Sequence, residues 1–138
     1  MQPSPSPLVH SRVWLSQAAT SGIVDLLVDT DVFVDHLRGA HRFRLGGHQV
    51  SYSVITRCEL FAGHAVEEER VARLLAPFQE LTVDRAVGER AGRLRRTQNI
   101  RVPDALIAAT ALEHGLTLLT RNQRDFSIVP GLPIRTPR

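Results

Sequence analysis

Six residues, Leu26-Leu27-Val28-Asp29-Thr30-Asp31, restrict this chain more than any others. With Val24 before them they make a short apolar run, broken by Asp25, that ends in aspartate and threonine. A short apolar run bounded by turn chemistry reads as a strand buried on both faces. Such strands belong to parallel sheets, where helices cover both sides. In open α/β sheets ligands bind beyond the carboxyl ends of the strands. Asp29 is therefore expected at the lip of a crevice, held by a rigid strand. The plainer alternative is that Asp29 or Asp31 only caps the helix that follows.

The rest of the chain supplies partners for that strand. A strand is expected over 24–29, then a helix over 32–38 with Val32, Phe33 and Leu37 inward and Gly39 as its stop. Residues 40–47 form a basic loop carrying Arg42 and Arg44. A second strand over 49–53 leads to a short helix over 56–63 that places Glu59 on its first turn. A further helix over 67–76 opens with three glutamates, which suit the positive end of the helix dipole, and Pro77 ends it. A third strand over 80–83 precedes Asp84, which caps a helix running to Thr97. Its inward face is Val87, Ala91 and Leu94, and its other face is rich in arginine: Arg90, Arg93, Arg95 and Arg96, with Arg101 beyond. Pro103 opens a helix over 103–114 and Gly115 ends it. That helix is apolar nearly all round, which marks it as central and buried. A strand over 116–120, a polar loop over 121–126 and a proline-flanked edge strand over 134–136 complete the pattern. Strands alternating with helices give an α/β fold around a parallel sheet.

Composition narrows the function classes. A chain of 138 residues holds one domain. Residues 1–22 are expected to be a flexible, Pro/Ser-headed extension, and 23–138 the domain itself. Cys58 is the sole cysteine, which excludes an internal disulfide and a cysteine-rich zinc site, and it is expected in the core beside Glu59. No apolar run approaches the length of a membrane span and no secretory leader is legible, so the expected location is the cytoplasm. The net charge is +3, and all 17 basic residues are arginine. Arginine binds phosphate through a planar fork that lysine lacks, which suits nucleic acid, although a G+C-rich genome produces the same bias.

Four acids fall just past strand ends or near helix starts: Asp29, Glu59, Asp104 and Asp125. In a parallel α/β sheet those places share one edge. Carboxylates gathered there repel one another unless a cation lies among them, and oxygen-only ligands select Mg²⁺ or Mn²⁺. Each acid also has an ordinary explanation, by helix dipole or by an Asx-turn, and only their recurrence at one edge weighs against it.

Four words of this sequence resemble the PIN-domain nucleases, specifically VapC-type toxins of bacterial toxin–antitoxin pairs. They are 28–35 (VDTDVFVD), 53–60 (SVITRCEL), 103–111 (PDALIAATA) and 119–126 (LTRNQRDF), and together they span about 24–136 in order. The resemblance implies a three-layer α/β/α fold with a mostly parallel five-stranded sheet. It implies Mg²⁺-dependent endoribonuclease activity, with Mn²⁺ as a substitute. Asp29, Glu59, Asp104 and Asp125 take the metal-binding and catalytic positions. Asn122 stands where many relatives carry an acid, so the fourth ligand lies between Asn122 and Asp125. Thr30 and Thr120 match hydroxyl residues that steady the site. A homodimer and an inhibiting VapB-type antitoxin, laid across the site by its C-terminal segment, are also implied.

On this reading Asp29, Asp104 and Glu59 hold one Mg²⁺, and Asp125 with Asn122 completes its shell or serves a second. RNA is cut to leave 5′-phosphate and 3′-hydroxyl ends. Arg42, Arg44, Arg90, Arg93, Arg96 and Arg121 contact its backbone. Asp31 and Asp35 are expected to be capping and surface residues. Two rivals stand beside this. One is an Asp-nucleophile phosphatase built on Asp29-x-Asp31, disfavoured by the short chain and the missing lysine. The other is a non-catalytic RNA-binding module of the same fold, which gains nothing from four acids in its cleft.

Overall fold

The computed structural model describes residues 25–39, 47–63 and 67–137. The expected extension over 1–22, and Arg42 and Arg44, lie outside the described residues. The strands are β1 (Leu26–Val28), β2 (Val50–Ser53), β3 (Gln79–Leu81), β4 (Thr117–Leu119) and β5 (Ile134–Arg135). The helices are α1 (Thr30–Leu37), α2 (Val54–Phe61), α3 (Glu68–Leu75), α4 (Arg85–Thr97), α5 (Val102–His114) and α6 (Gln123–Phe126).

The strands form one sheet in the order β3-β2-β1-β4-β5, every neighbouring pair parallel. The apolar run at 26–28 is its centre, pairing Leu26 with Val50 on one side and with Thr117 on the other. Alternation along β1 and β4 sends side chains to both faces. Leu27 and Leu118 join Val87, Ala91, Phe126 and the alanines of α5 in one core. Leu26, Val28, Leu119 and Tyr52 join Val32, Phe33, Leu60, Val71 and Leu75 in the other. The sheet thus lies between α1–α3 and α4–α6, a three-layer α/β/α arrangement. β5 is an edge strand, as its prolines require.

The caps at Asp84 and Gly115 follow the sequence, and Ser53 adds one that was not expected. Asp84 accepts from Val87 N at 2.9 Å, Ser53 accepts from Ile55 N at 3.0 Å, and Gly115 ends α5 at φ 65°, a left-handed conformation suited to glycine. Three expectations change. The polar loop over 121–126 contains a helical turn, α6, anchored by the fully buried Phe126. α2 begins at Val54 directly after β2, because Ser53 is both the last strand residue and the cap. Glu59 therefore sits two residues further in, on the second turn, and no acid occupies the first turn of α2. Cys58 is exposed, not in the core, because the inward face of α2 is taken by Thr56 and Leu60.

The chain runs β1, β2, β3 to one side of β1, then crosses to β4 on the other side. The sheet order reverses between β1 and β4. In open α/β sheets that switch point opens the crevice where ligands sit.

Candidate active site

Asp29 follows β1 at the switch point, and Thr120 follows β4 beside it. The two strands are tied there by Asp29 N–H donating to Leu119 O at 2.9 Å. Asp29 is 5% exposed. Its Oδ1 accepts from Thr30 N at 2.8 Å, which caps α1, and its Oδ2 accepts from the Thr120 hydroxyl at 2.7 Å. Capping therefore occupies one oxygen of Asp29, and the other is held separately by Thr120.

Burial pushes the Asp29 carboxyl up to about 7, helped by the charges of Asp31 and Asp104 and opposed by the bonds from Thr120 and Thr30. Burial also raises Asp104, with Glu59 and Asp125 adding to the effect and Arg101 pulling against it. All four predicted acids are linked through these interactions. Asp29 feels Asp104, and Asp104 feels Glu59 and Asp125. Arg101 Nε lies 3.7 Å from Asp104 Oδ2; although its side chain is 80% exposed, it is the largest charge acting on Asp104 and the one that opposes the rise.

Each predicted supporting residue holds one of the acids. The Thr30 hydroxyl lies 2.6 Å from Glu59 Oε1 and 2.9 Å from Thr56 Oγ1. It has one hydrogen, and the carboxylate is the stronger acceptor, so Thr30 is oriented between the two. The Thr120 hydroxyl, fully buried, holds Asp29 and accepts from Asn122 N at 2.9 Å. Asn122 Nδ2 donates to Asp125 Oδ2 at 2.9 Å. Asn122 and Asp125 are thus hydrogen-bonded to one another in the segment after β4.

Two acids taken as bystanders belong to this edge. Asp31 is half-buried and raised by burial. Its Oδ2 lies 3.4 Å from the Thr120 hydroxyl, and its Oδ1 accepts from Arg121 N at 3.4 Å. Asp35, one turn further along α1, is ion-paired with the Arg121 guanidinium. Their i,i+4 spacing puts them on one face of α1, which is the signal that could have found them. Thr56, fully buried, was also missed; it stands three residues before Glu59 and so shares its side of α2. Among the RNA-contact candidates, Arg121 is thus engaged by Asp35 and Arg90 by Glu113.

Among the described residues no group of three or more His, Cys, Asp or Glu side chains is arranged to hold a metal ion. The acids share an edge without closing on one point, so an ion would have to draw them together. In kind they fit a hard divalent cation, since the donors are carboxylate and amide oxygens. In charge they fit as well, since burial and neighbouring acids raise both Asp29 and Asp104, and only the exposed Arg101 opposes this with positive charge, at Asp104.

A family model described as PIN domain matches residues 26–132. Ribonuclease VapC10 of Mycobacterium tuberculosis (strain ATCC 25618 / H37Rv) is 38% identical over 119 residues, covering 78% of this chain and 90% of its own length. Ribonuclease VapC19 of the same strain is 36% identical over 121 residues, covering 77% and 95%. A solved toxin–antitoxin complex from Klebsiella pneumoniae contains a chain that is 31% identical, with a TM-score of 0.65, covering 83% of this chain and 98% of its own. No helix among the described residues is long and apolar enough to cross a membrane.

Proposed function

The chain belongs to the PIN-domain family, and on that premise we propose that it is a VapC-type toxin ribonuclease. It hydrolyses RNA phosphodiester bonds with a divalent cation, Mg²⁺ or in its place Mn²⁺, and a VapB-type antitoxin restrains it. Asp29 carries this reading. It is a buried carboxylate at the switch point, held by Thr120 and pushed up to about 7 by burial and by other acids. Burying a charge without a partner is costly, and a protein bears that cost where an external cation offsets it.

Asp29, Glu59 and Asp104 would hold the cation, with Asp125 and Asn122 completing the set. When bound it supplies a Lewis acid beside the scissile phosphate and lowers the pKa of water. The chain's own residues supply geometry. Thr120 fixes the Asp29 carboxylate between β1 and β4, Thr30 fixes Glu59, and Asn122 fixes Asp125. In the net reaction water adds to phosphorus and the bond to the 3′ oxygen breaks, leaving a 5′-phosphate and a 3′-hydroxyl. A homodimer is part of the same proposal. So is an antitoxin cation near the acids, for a guanidinium can replace the charge compensation of a metal.

The test is cleavage of total RNA by the wild type and by Asp104→Asn, each with Mg²⁺, Mn²⁺ or EDTA. Discrete fragments that require metal and vanish in the variant are expected. Metal-independent cleavage, or full activity in Asp104→Asn, would overturn the assignment. RNA binding with no cleavage under any condition would favour a non-catalytic module.

A further inference from the structure

The acid edge repels what the protein is proposed to cut. An RNA strand is a line of negative charge, and carboxylates contribute nothing to holding it. Binding energy must come from elsewhere on the surface, and the described residues offer a suitable place.

Helix α4 carries five arginines and one glutamate. Between its outer face and the C-terminal half of α5 lies a groove of about 610 Å³, lined by Arg90, Arg93, Leu94, Arg96, Thr97, Leu112 and Pro130. No acid lines it. Its arginines differ in what they are free to do. Arg90 is ion-paired with Glu113, and Arg95, outside the lining, turns back to donate to Ile100 O at 3.1 Å. Arg93 and Arg96 are exposed and have no internal partner among the described residues. Leu94 and Leu112 are partly buried against the core and give the groove an apolar floor. Two unpaired guanidinium groups beside an apolar floor match the repeating chemistry of a nucleic-acid strand, with phosphate on one side and sugar and base on the other.

The groove is separate from the acids. Asp104 lies on the first turn of α5 and Leu112 near its end, ~12 Å apart along the helix axis. A strand seated here extends well past the bond being cut.

Resting on the ribonuclease reading, we propose that the α4–α5 groove is an RNA-binding exosite: Arg93 and Arg96 grip backbone phosphates of the substrate away from the acid edge, and Leu94, Leu112 and Pro130 receive the sugar–base side. It sets how tightly long substrates bind and plays no part in the chemical step.

The experiment measures metal-free binding, in EDTA, of labelled single-stranded RNA by fluorescence anisotropy across a salt series. It compares wild type, the double variant Arg93→Ala/Arg96→Ala, and Arg73→Ala on α3 as a charge-loss control. Cleavage of long RNA and of a dinucleotide is followed in parallel. Losing two single-strand phosphate contacts should flatten the slope of log K against log salt by about 1.4 and weaken binding about tenfold at physiological salt. KM for long RNA should rise while kcat and dinucleotide cleavage stay unchanged. The control should change little. A double variant that cleaves and binds like wild type overturns the exosite and leaves the ribonuclease reading standing. Equal losses on long RNA and dinucleotide also overturn it, because they place these arginines at the cut. A variant that binds RNA normally but changes from dimer to monomer in sedimentation gives the groove to a second copy of the chain. A wild type that neither binds nor cleaves RNA overturns the ribonuclease reading and the exosite together.

Discussion

If Asp29 is a charge the fold holds at a cost, removing the charge should stabilise the metal-free protein. Asp29→Asn is nearly isosteric. Asparagine caps helices as well as aspartate does, so its Oδ1 can keep the bond from Thr30 N. Its Nδ2 can donate to the Thr120 hydroxyl, which already accepts from Asn122 N and has a second lone pair. The freed Thr120 hydrogen then turns to Asp31 Oδ2, 3.4 Å away. Only the charge is lost. Raising a carboxyl from 3.8 to about 7 costs the ionised fold roughly 4 kcal/mol once pH exceeds both values. The sign follows from proton counting. Between those values the folded state keeps a proton that the unfolded chain has released, so stability falls as pH rises from about 4 to about 7. The cost is complete above that range and nearly absent below it. Urea denaturation in EDTA should therefore find the variant more stable than wild type by about 2–4 kcal/mol at pH 8. At pH 4 the gap should shrink below about 1 kcal/mol. Saturating Mg²⁺ should raise the wild type more than the variant. An asparagine variant equal to or less stable than wild type at pH 8 in EDTA would refute the claim that uncompensated charge resides at Asp29.

Two further outcomes test how the edge is held. Thr120→Val keeps the volume but leaves Asp29 Oδ2 and the Asn122 N–H without their partner; it should cost about 1–3 kcal/mol in denaturation and slow cleavage, while Thr120→Ser keeps both, and a valine variant of full stability would show that water replaces the hydroxyl. Arg121 ties the loop carrying Asn122 and Asp125 to Asp35 on α1, with the guanidinium about half exposed; a double-mutant cycle over Arg121→Ala and Asp35→Ala should give a coupling of about 0.5–1 kcal/mol, and Arg121→Ala should lower kcat at constant KM if it positions the loop, whereas a rise in KM alone would make Arg121 a contact to RNA instead.

The sheet was legible because its central strand carries its burial in its own letters. Leu26, Leu27 and Val28 admit no solvent-facing side, which forces layers above and below. The acids were legible because a parallel sheet turns scattered sequence positions into one edge. What failed to read was local and depended on tertiary partners. The turn at α6 exists because Phe126 is buried beneath it, and one aromatic in a polar stretch does not announce that. Asp31 and Asp35 look like surface acids on a short helix. Their roles come from Thr120 and Arg121, which arrive some 90 residues later in the chain. Glu59 was placed on the first turn rather than the second because Ser53 both closes β2 and caps α2, a doubling that propensity cannot show. Cys58 was read as core from residue type alone, whereas the phase of α2 turns Thr56 and Leu60 inward.

The physics that would suit the acid edge to metal-assisted chemistry makes it unsuitable for binding a polyanion, and the two kinds of charge lie in different places on the fold. Negative charge is gathered where β1 and β4 diverge, on side chains fixed by Thr30, Thr120 and Asn122. Positive charge is gathered on α4, where Arg93 and Arg96 are left without internal partners. Among the described residues no arginine of α4 is paired with these carboxylates; Arg101, beyond the end of α4, makes an exposed contact with Asp104. Had the arginines folded onto the carboxylates, both sets would be satisfied and neither would bind anything. Left unpaired, the carboxylates suit a cation and the arginines a polyanion. On the proposed reading a metal ion and an RNA strand together would meet both demands, because a strand crossing from the groove to the edge would bring its phosphates to the ion.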